Sequence, residues 1–190
     1  TVVGSVEEYN GSSWTTNPVS LINARFNVGS AGTQTAGLVF AGANPGATPK
    51  NLTEAYDGTS WAAGGTLGTA RRNGAGCGTQ TAALMVKGYS TVHTNLTEEY
   101  NGTSWTAGGT FPNTGEGNFA LGTQTAALGG AGYTPGSGFL TNSAQYNGTS
   151  WTAAATIPAR NQGEGQGTQT AGLIFAGSVP PNTGTTFTYD

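Results

Sequence analysis

One six-residue segment, Tyr-Asn-Gly-Thr-Ser-Trp, recurs with small changes along the whole chain. Its copies are residues 9–14, 56–61, 100–105 and 146–151, and a fifth copy begins at Tyr189. Asn-Gly and Asp-Gly favour a type I′ turn, because both central residues of that turn need a positive φ. Each copy therefore predicts a strand ending at Tyr, a tight turn and a strand beginning at Trp. The repeated aromatic residues, to which we assign a structural role, are Tyr9, Trp14, Tyr56, Trp61, Tyr100, Trp105, Tyr146 and Trp151.

A second marker, Gly-Thr-Gln-Thr-Ala, has the same period. It begins at Gly32, Gly78, Gly122 and Gly167. Successive Trp residues are 47, 44 and 46 positions apart, and the Gln residues of the second marker are 46, 44 and 45 apart. Two independent markers with one period define an internal repeat. The units are approximately 1–23 (partial), 24–69, 70–113, 114–158 and 159–190 (partial), within a single domain.

Each complete unit contains four short strand signals, which we name a, b, c and d. Strand a is rich in Gly, strand b is a short apolar run such as 81–86, and strands c and d flank the Asn-Gly turn. Four antiparallel strands per unit of about 45 residues are typical of a β-propeller blade, and a sandwich or a β-solenoid is the alternative. The sequence predicts an all-β fold, with strand a nearest the axis and the Trp of strand d packed between blades.

The units resemble kelch repeats. The kelch pattern has an Arg that opens the inner strand, an apolar strand ending in Gly-Gly, and then a Tyr and a Trp separated by a short turn. The Arg positions here are Arg25, Arg71 and Arg160, with Gly115 in the third unit; Gly-Gly occurs at 129–130, against Ala41-Gly42, Lys87-Gly88 and Ala176-Gly177 elsewhere. The resemblance implies a propeller and leaves function open, because kelch propellers include oxidases, lectin-like binders and interaction scaffolds. In style the repeats are similar to those of repeat proteins from marine bacteriophages and bacteria.

The number of blades does not follow from the repeat. The order of strand signals is c-d, then a-b-c-d three times, then a-b-c, so residues 185–190 compete with residues 1–9 for one position. Three arrangements satisfy this order: the last strand serves a neighbouring chain, two chains build one ring, or the chain is a segment of a propeller with six to eight blades. A homo-oligomer joined through the terminal strands is therefore one expectation.

Composition argues against several classes of function. A net charge of −3 with 8% charged residues gives no basic face for nucleic acid. Cys77 is the single cysteine and His93 the single histidine, so the sequence predicts no disulfide, no metal site and no cofactor. No apolar run is long enough to span a membrane. Low charge and abundant Thr, Gly and Ser favour an extracellular location or the surface of a virion.

Candidate ligand-binding residues fall into three sets. The repeated arginines, Arg25, Arg71 and Arg160, are expected to form a partial ring at one mouth of the ring of blades, where they either bind an anion or bond to neighbouring carbonyls and carboxylates. The repeated glutamines, Gln34, Gln80, Gln124 and Gln169, either cap turns or present amides to a polyhydroxyl ligand. The third set, Tyr89, His93 and Tyr133, belongs to variable b–c loops at 43–50, 89–94 and 133–140.

Acidic residues offer little for catalysis. The strand-c pairs Glu7-Glu8 and Glu98-Glu99 are expected to be solvated and to point to opposite faces. Glu116 and Glu164 in the inner strands are the candidates for a glycan hydrolase or lyase. We expect a non-enzymatic structural or interaction propeller that recognises other protein subunits through its variable loops. A carbohydrate-binding propeller is the first alternative, and the hydrolase or lyase is the second.

Overall fold

A computed structural model describes residues 1–178 and 187–189, and the side chains of 187 and 189 are not part of the description. These residues form an all-β fold of separate antiparallel sheets. A two-stranded hairpin comes first, with β1 (Glu7–Tyr9) and β2 (Trp14–Thr16). The first four-stranded sheet contains β3 (Gly29–Thr33), β4 (Ala36–Phe40), β5 (Thr53–Tyr56) and β6 (Trp61–Ala63).

The next two sheets repeat the same order. The second contains β7 (Ala75–Thr79), β8 (Ala82–Tyr89), β9 (His93–Tyr100) and β10 (Trp105–Ala107). The third contains β11 (Phe119–Thr123), β12 (Ala126–Gly130), β15 (Ser143–Tyr146) and β16 (Trp151–Ala153), and its b–c loop carries the hairpin of β13 (Tyr133–Thr134) and β14 (Gly138–Phe139). The fourth sheet has three described strands, β17 (Glu164–Thr168), β18 (Ala171–Phe175) and β19 (Phe187–Tyr189). The predicted a-b-c-d order is confirmed in the three complete sheets.

The inner strands, which are strand a of each unit, lie side by side. β3 packs against β7, β7 against β11, and β11 against β17. Gly76 shows where this packing requires a small residue, because a Cβ there would come within 2.5 Å of the Ser30 carbonyl oxygen in the neighbouring strand. β17 and β3 do not pack in the same way, and the described residues do not close into a ring.

The predicted type I′ turn is wrong, although the hairpin itself is confirmed. Tyr9 pairs with Trp14, so the loop has four residues between the paired positions. Only the Gly of each copy has a positive φ, for example 97° at Gly11. The Asn10 side-chain oxygen accepts hydrogen bonds from the amides of Ser12 and Ser13 at 3.0 and 2.9 Å. Such an Asx turn needs only one left-handed residue, and Asn or Asp supplies the acceptor.

In the second and third sheets, the strand-d Trp packs on the preceding sheet. Trp105 in strand d of the second sheet lies 4.9 Å from the Phe40 ring, measured between centroids, and its indole N–H donates to the Thr53 hydroxyl at 2.8 Å. Trp151 repeats this contact on Thr97 at 2.9 Å. We call this contact, together with the buried strand-b Leu beneath it, the sheet junction. The prediction that Trp packs between sheets is confirmed for these two residues.

The first two Trp residues show what the junction requires. Trp61 faces the N-terminal hairpin, where Val6 takes the place of the hydroxyl residue Thr53, and the buried Trp61 indole N–H has no hydrogen-bond partner. Trp14 has no sheet before it and is 70% exposed. For Trp14 the predicted packing between sheets is therefore wrong within the described residues.

The register of the third unit corrects the assignment of the Gly-Gly pair. Strand b ends in a residue with a positive φ followed by Gly, and this pair is Ala41-Gly42, Lys87-Gly88, Ala131-Gly132 and Ala176-Gly177. Gly130 instead pairs with Ser143, as Phe40 pairs with Thr53. The pair at 129–130 lies two positions too early, so no described unit has Gly-Gly at the turn.

Lys87 compensates for the missing arginine of the third unit. A Cβ on Gly115 would lie 3.2 Å from both Cε and Nζ of Lys87, so the space that a side chain would use there is occupied by Lys87 from the preceding sheet. The Lys87 ammonium donates to the Ala131 carbonyl at 3.0 Å and lies 4.8 Å from the centroid of the Phe111 ring. In the fourth unit the Arg160 guanidinium donates to the equivalent carbonyl of Ala176 at 3.1 Å.

Candidate functional site

The variable b–c loops lie along one rim of the sheets. The residue that directly follows the Gly at the end of strand b pairs with a residue of the linker that enters the same sheet. These bridges are Phe26–Ala43, Arg72–Tyr89, Glu116–Tyr133 and Asn161–Ser178. The backbone pairing is the same in all four units, whereas the linker residue is different in each unit and the loop residue is Ala, Tyr, Tyr or Ser. This rim therefore combines a constant frame with variable chemistry, which is the usual arrangement of a binding surface.

Aromatic side chains from two neighbouring sheets meet on this rim. The His93 ring centroid lies 5.2 Å from that of Tyr89 within one hairpin and 6.3 Å from that of Tyr133 in the next sheet. Tyr133 lies 5.7 Å from Phe139. The Arg72 guanidinium lies 5.0 Å from the centroid of the Tyr89 ring, within range of a cation–π contact. The three residues predicted from the variable loops are thus brought together.

A carboxylate completes this group. Glu116 Oε1 lies 3.5 Å from His93 Nε2, and its Oε2 accepts a hydrogen bond from the Asn73 amide at 3.0 Å. The side chains of His93 and Glu116 are 15% and 20% exposed, so both are reachable from solvent. His93 Nε2 itself is buried and makes no hydrogen bond. We call Arg72, Tyr89, His93, Glu116, Tyr133 and Phe139 the loop cluster.

The chemistry of the loop cluster suits binding. It presents partly exposed aromatic rings beside a guanidinium and a carboxylate, a combination that can stack on a ligand and also fix it by hydrogen bonds. Sequence reasoning named Tyr89, His93 and Tyr133, placed Glu116 in an inner strand, and did not assign Arg72 to the loops. The bridges Arg72–Tyr89 and Glu116–Tyr133 place Arg72 and Glu116 at the rim. An alignment of the linkers and loops of the repeat units could have indicated this position.

The repeated arginines serve the frame of the sheets. Arg25 forms an ion pair with Glu54 at 2.6 Å, and Arg71 forms one with Glu98 at 2.5 Å. Both arginines are buried, and burial lowers the pKa of each from its ordinary value while the partner carboxylate acts in the opposite direction. The expected Arg ring is therefore not an open anion site at these two positions.

The expectation that the strand-c glutamates are solvated is wrong for Glu98 and for Glu54, which occupies the same repeat position, whereas Glu7 at that position is exposed. Glu98 is 6% exposed and also accepts the Gly68 amide at 2.6 Å. Glu54 is 1% exposed and accepts the Ile22 amide at 2.6 Å. Each carboxylate thus holds both the Arg and the loop that leads into its sheet. The third unit has Ala144 in this place, which matches the absence of Arg at Gly115.

Three of the repeated glutamines tie neighbouring sheets together. Gln80 donates to the Gly37 and Tyr56 carbonyls of the preceding sheet at 3.1 and 2.6 Å. Gln124 and Gln169 repeat this pattern on the second and third sheets. Gln34 follows only the N-terminal hairpin and is exposed. The acceptors lie across the junction and not in the turn itself, so the turn-capping interpretation is replaced by cross-sheet bonding for Gln80, Gln124 and Gln169.

A cavity of about 280 Å³ lies between the inner strands of all four sheets. Its lining is mainly backbone and small side chains, with Gln166 and Glu164 from the fourth sheet. Burial raises the pKa of Glu164 above its usual value. Cys77 also lines the cavity, and burial raises the pKa of its thiol to about 12. Glu164 belongs to this cavity whereas Glu116 belongs to the loop cluster, so the two do not form a carboxylate pair.

In residues 1–178 and 187–189, no three His, Cys, Asp or Glu side chains are grouped so that they could hold a metal ion. Nor does this part of the chain contain a helix of the length and apolarity that crossing a membrane demands. Comparison of the sequence with models of protein families finds no match, and comparison with curated proteins finds no significant match.

Proposed function

We propose that the sheets are consecutive blades of a kelch-like β-propeller, and that the protein is a non-enzymatic interaction module whose b–c loops bind a partner. Three features support the propeller: one sheet per sequence repeat, inner strands that pack side by side, and a shared cavity between them. The incomplete ring is consistent with further blades or with completion by another chain.

The loop cluster carries the proposal about binding. Its backbone bridges repeat from unit to unit, while the paired residues change from Phe26–Ala43 to Arg72–Tyr89 and Glu116–Tyr133. The strand-d Trp and the repeated Gln keep their residue types over the same units. Variation of exposed residues along one rim is expected where a rigid frame presents a specific surface. Low charge and richness in Thr, Gly and Ser support display on a virion or on a cell surface.

A carbohydrate ligand is the second candidate function. Tyr133 and Phe139 offer aromatic faces, and Glu116, whose backbone pairs with that of Tyr133, supplies a carboxylate as a hydrogen-bond acceptor for sugar hydroxyls. The hydrolase or lyase alternative has less support, because Glu116 and Glu164 occupy different sites and Arg25 and Arg71 are committed to buried ion pairs.

The experiment exchanges the loops while keeping the frame. Residues 89–94 and 133–140 are replaced by the sequence 43–50, and binding of the labelled protein to host cells and to a glycan array is compared with wild type. Loss of binding at unchanged stability supports the proposal. Binding that survives both exchanges contradicts it. Tyr133→Ala should weaken binding about 10-fold or more, in the range of an aromatic contact residue, whereas Ser137→Ala, an exposed change in the same loop, should not. Signal on the glycan array alone would favour the carbohydrate candidate.

A further inference from the structure

The two ends of the described chain carry the two halves of a sheet junction. Within the chain, the junction buries a strand-b Leu of one sheet beneath the Trp of the next sheet. Leu38 and Leu84 lie beneath Trp105 and Trp151 in this way and are 1% and 0% exposed. Leu128, at the same position of the third sheet, is 0% exposed and packs in one cluster with Ile174 of the fourth sheet. Leu173 occupies the position in the fourth sheet, after which the described residues contain no further sheet, and is 39% exposed.

The opposite half is open at the N-terminal hairpin. Trp14 stacks on Tyr9 with 5.3 Å between ring centroids, as Trp105 stacks on Tyr100 at 5.0 Å. Trp105 is 9% exposed because the first sheet covers it, whereas Trp14 and Tyr9 are 70% and 47% exposed. The hairpin is nevertheless held in the orientation of a junction, since the Tyr56 hydroxyl donates to Glu8 at 2.8 Å.

We propose that these ends bind each other between two copies of the chain, head to tail, with the Trp14 hairpin of one copy docked on the Leu173 face of the next. The argument is the junction itself, which the chain already makes between its own sheets with the same residue types. The exposed face of the hairpin carries Tyr9 and Trp14 and that of the fourth sheet carries Leu173, which are the residue types that meet in the junctions within the chain. Neither end covers the other within one copy, because both Trp14 and Leu173 are exposed. A contact between two different surfaces produces closed rings or filaments.

The test uses two variants, each of which blocks one end. Trp14→Ala removes the hairpin half, and Leu173→Asp places a charge on the opposite face. Mass is measured over a range of protein concentrations by sedimentation. Wild type should form rings or filaments. Each variant alone should remain a monomer, with self-association at least 30-fold weaker, as expected for an aromatic hot spot.

Mixing the variants gives the decisive result. Leu173→Asp retains an intact hairpin and Trp14→Ala retains an intact face, so an equimolar mixture should form a one-to-one dimer and nothing larger. Recovery of that dimer also shows that both variants are folded. Thr152→Asp is the matched control, because Thr152 is exposed on the outer strand of the third sheet, away from both ends and from the b–c loops, and it should associate like wild type.

Three outcomes would overturn the proposal. A wild-type chain that stays monomeric at every concentration would show that the ends do not bind between copies. Association that survives both variants would assign it to another surface. Association that only Trp14→Ala abolishes, with Leu173→Asp unaffected, would indicate a symmetric contact between two hairpins.

Discussion

The fully buried Lys87 should make stability depend on pH in a way that one substitution removes. Lys87 is 0% exposed, and among the described residues its ammonium has no carboxylate partner, one carbonyl acceptor at 3.0 Å and the Phe111 ring centroid at 4.8 Å. Burial lowers the pKa of Lys87 from 10.5 to about 7. Because one pKa unit corresponds to about 1.4 kcal/mol, the charged form costs about 5 kcal/mol of unfolding free energy at full protonation.

The sign follows from proton binding. Between pH 7 and 10.5 the unfolded chain holds the Lys87 proton and the folded chain has lost it, so the free energy of unfolding rises with pH. Below pH 7 both states are protonated and the cost is fully present. Lys87→Met keeps the length and the backbone strain of the position and removes the charge. The stability of wild type relative to this variant should therefore increase by about 2 kcal/mol from pH 7 to pH 9.

Urea unfolding followed by Trp fluorescence at pH 7, 8 and 9 measures this difference, and other titrating groups cancel between the two proteins. Lys50→Met is the matched control, because Lys50 is the other lysine and is only partly buried. That control should retain the pH dependence of wild type. If wild type and Lys87→Met change in parallel over this range, the reasoning about the buried ammonium is refuted.

Three further predictions test the frame. Arg71→Met should lower the free energy of unfolding by roughly 3–5 kcal/mol in a urea titration, because it leaves the Glu98 carboxylate buried without its cation; a loss below 1 kcal/mol would contradict this. Trp105→Phe should cost about 1–3 kcal/mol through the lost indole hydrogen bond, while Trp14→Phe at an exposed position should cost almost nothing, and equal losses would refute the junction. At pH 8 the Cys77 thiol, with its pKa raised from 9.0 to about 12, should react with a disulfide reagent several hundredfold more slowly in the native protein than in urea, and equal rates would contradict its burial.

The sequence repeat was sufficient to predict the sheets, because the hydrophobic pattern and the turn residues that determine strands act over a few neighbouring positions. The a-b-c-d order and the packing of Trp105 and Trp151 were predictable from the period alone. The turn type was not, since a side-chain acceptor at Asn10 replaces the second left-handed residue that a type I′ turn needs.

Residues that act between units escaped prediction. The sequence predicted that Glu98 is solvated, because no neighbouring residue indicates that it is buried. Its burial depends on the ion pair with Arg71, which lies 27 positions earlier in the chain. The loop cluster was found only in part for the same reason: Glu116 reaches His93 through a backbone bridge to Tyr133, and no local pattern indicates that bridge.

The exchange of Arg for Lys between units has a consequence for how such repeats can be rearranged. Lys87 belongs to the second unit but donates a hydrogen bond to Ala131 of the third unit, where Gly115 leaves space for the Lys87 side chain. A second unit placed before a copy of itself would bring Lys87 against an arginine, and a third unit placed after the first would have no cation for the Ala131 carbonyl. The two units are therefore a pair that must be duplicated, deleted or transplanted together, although their sequences suggest interchangeable modules.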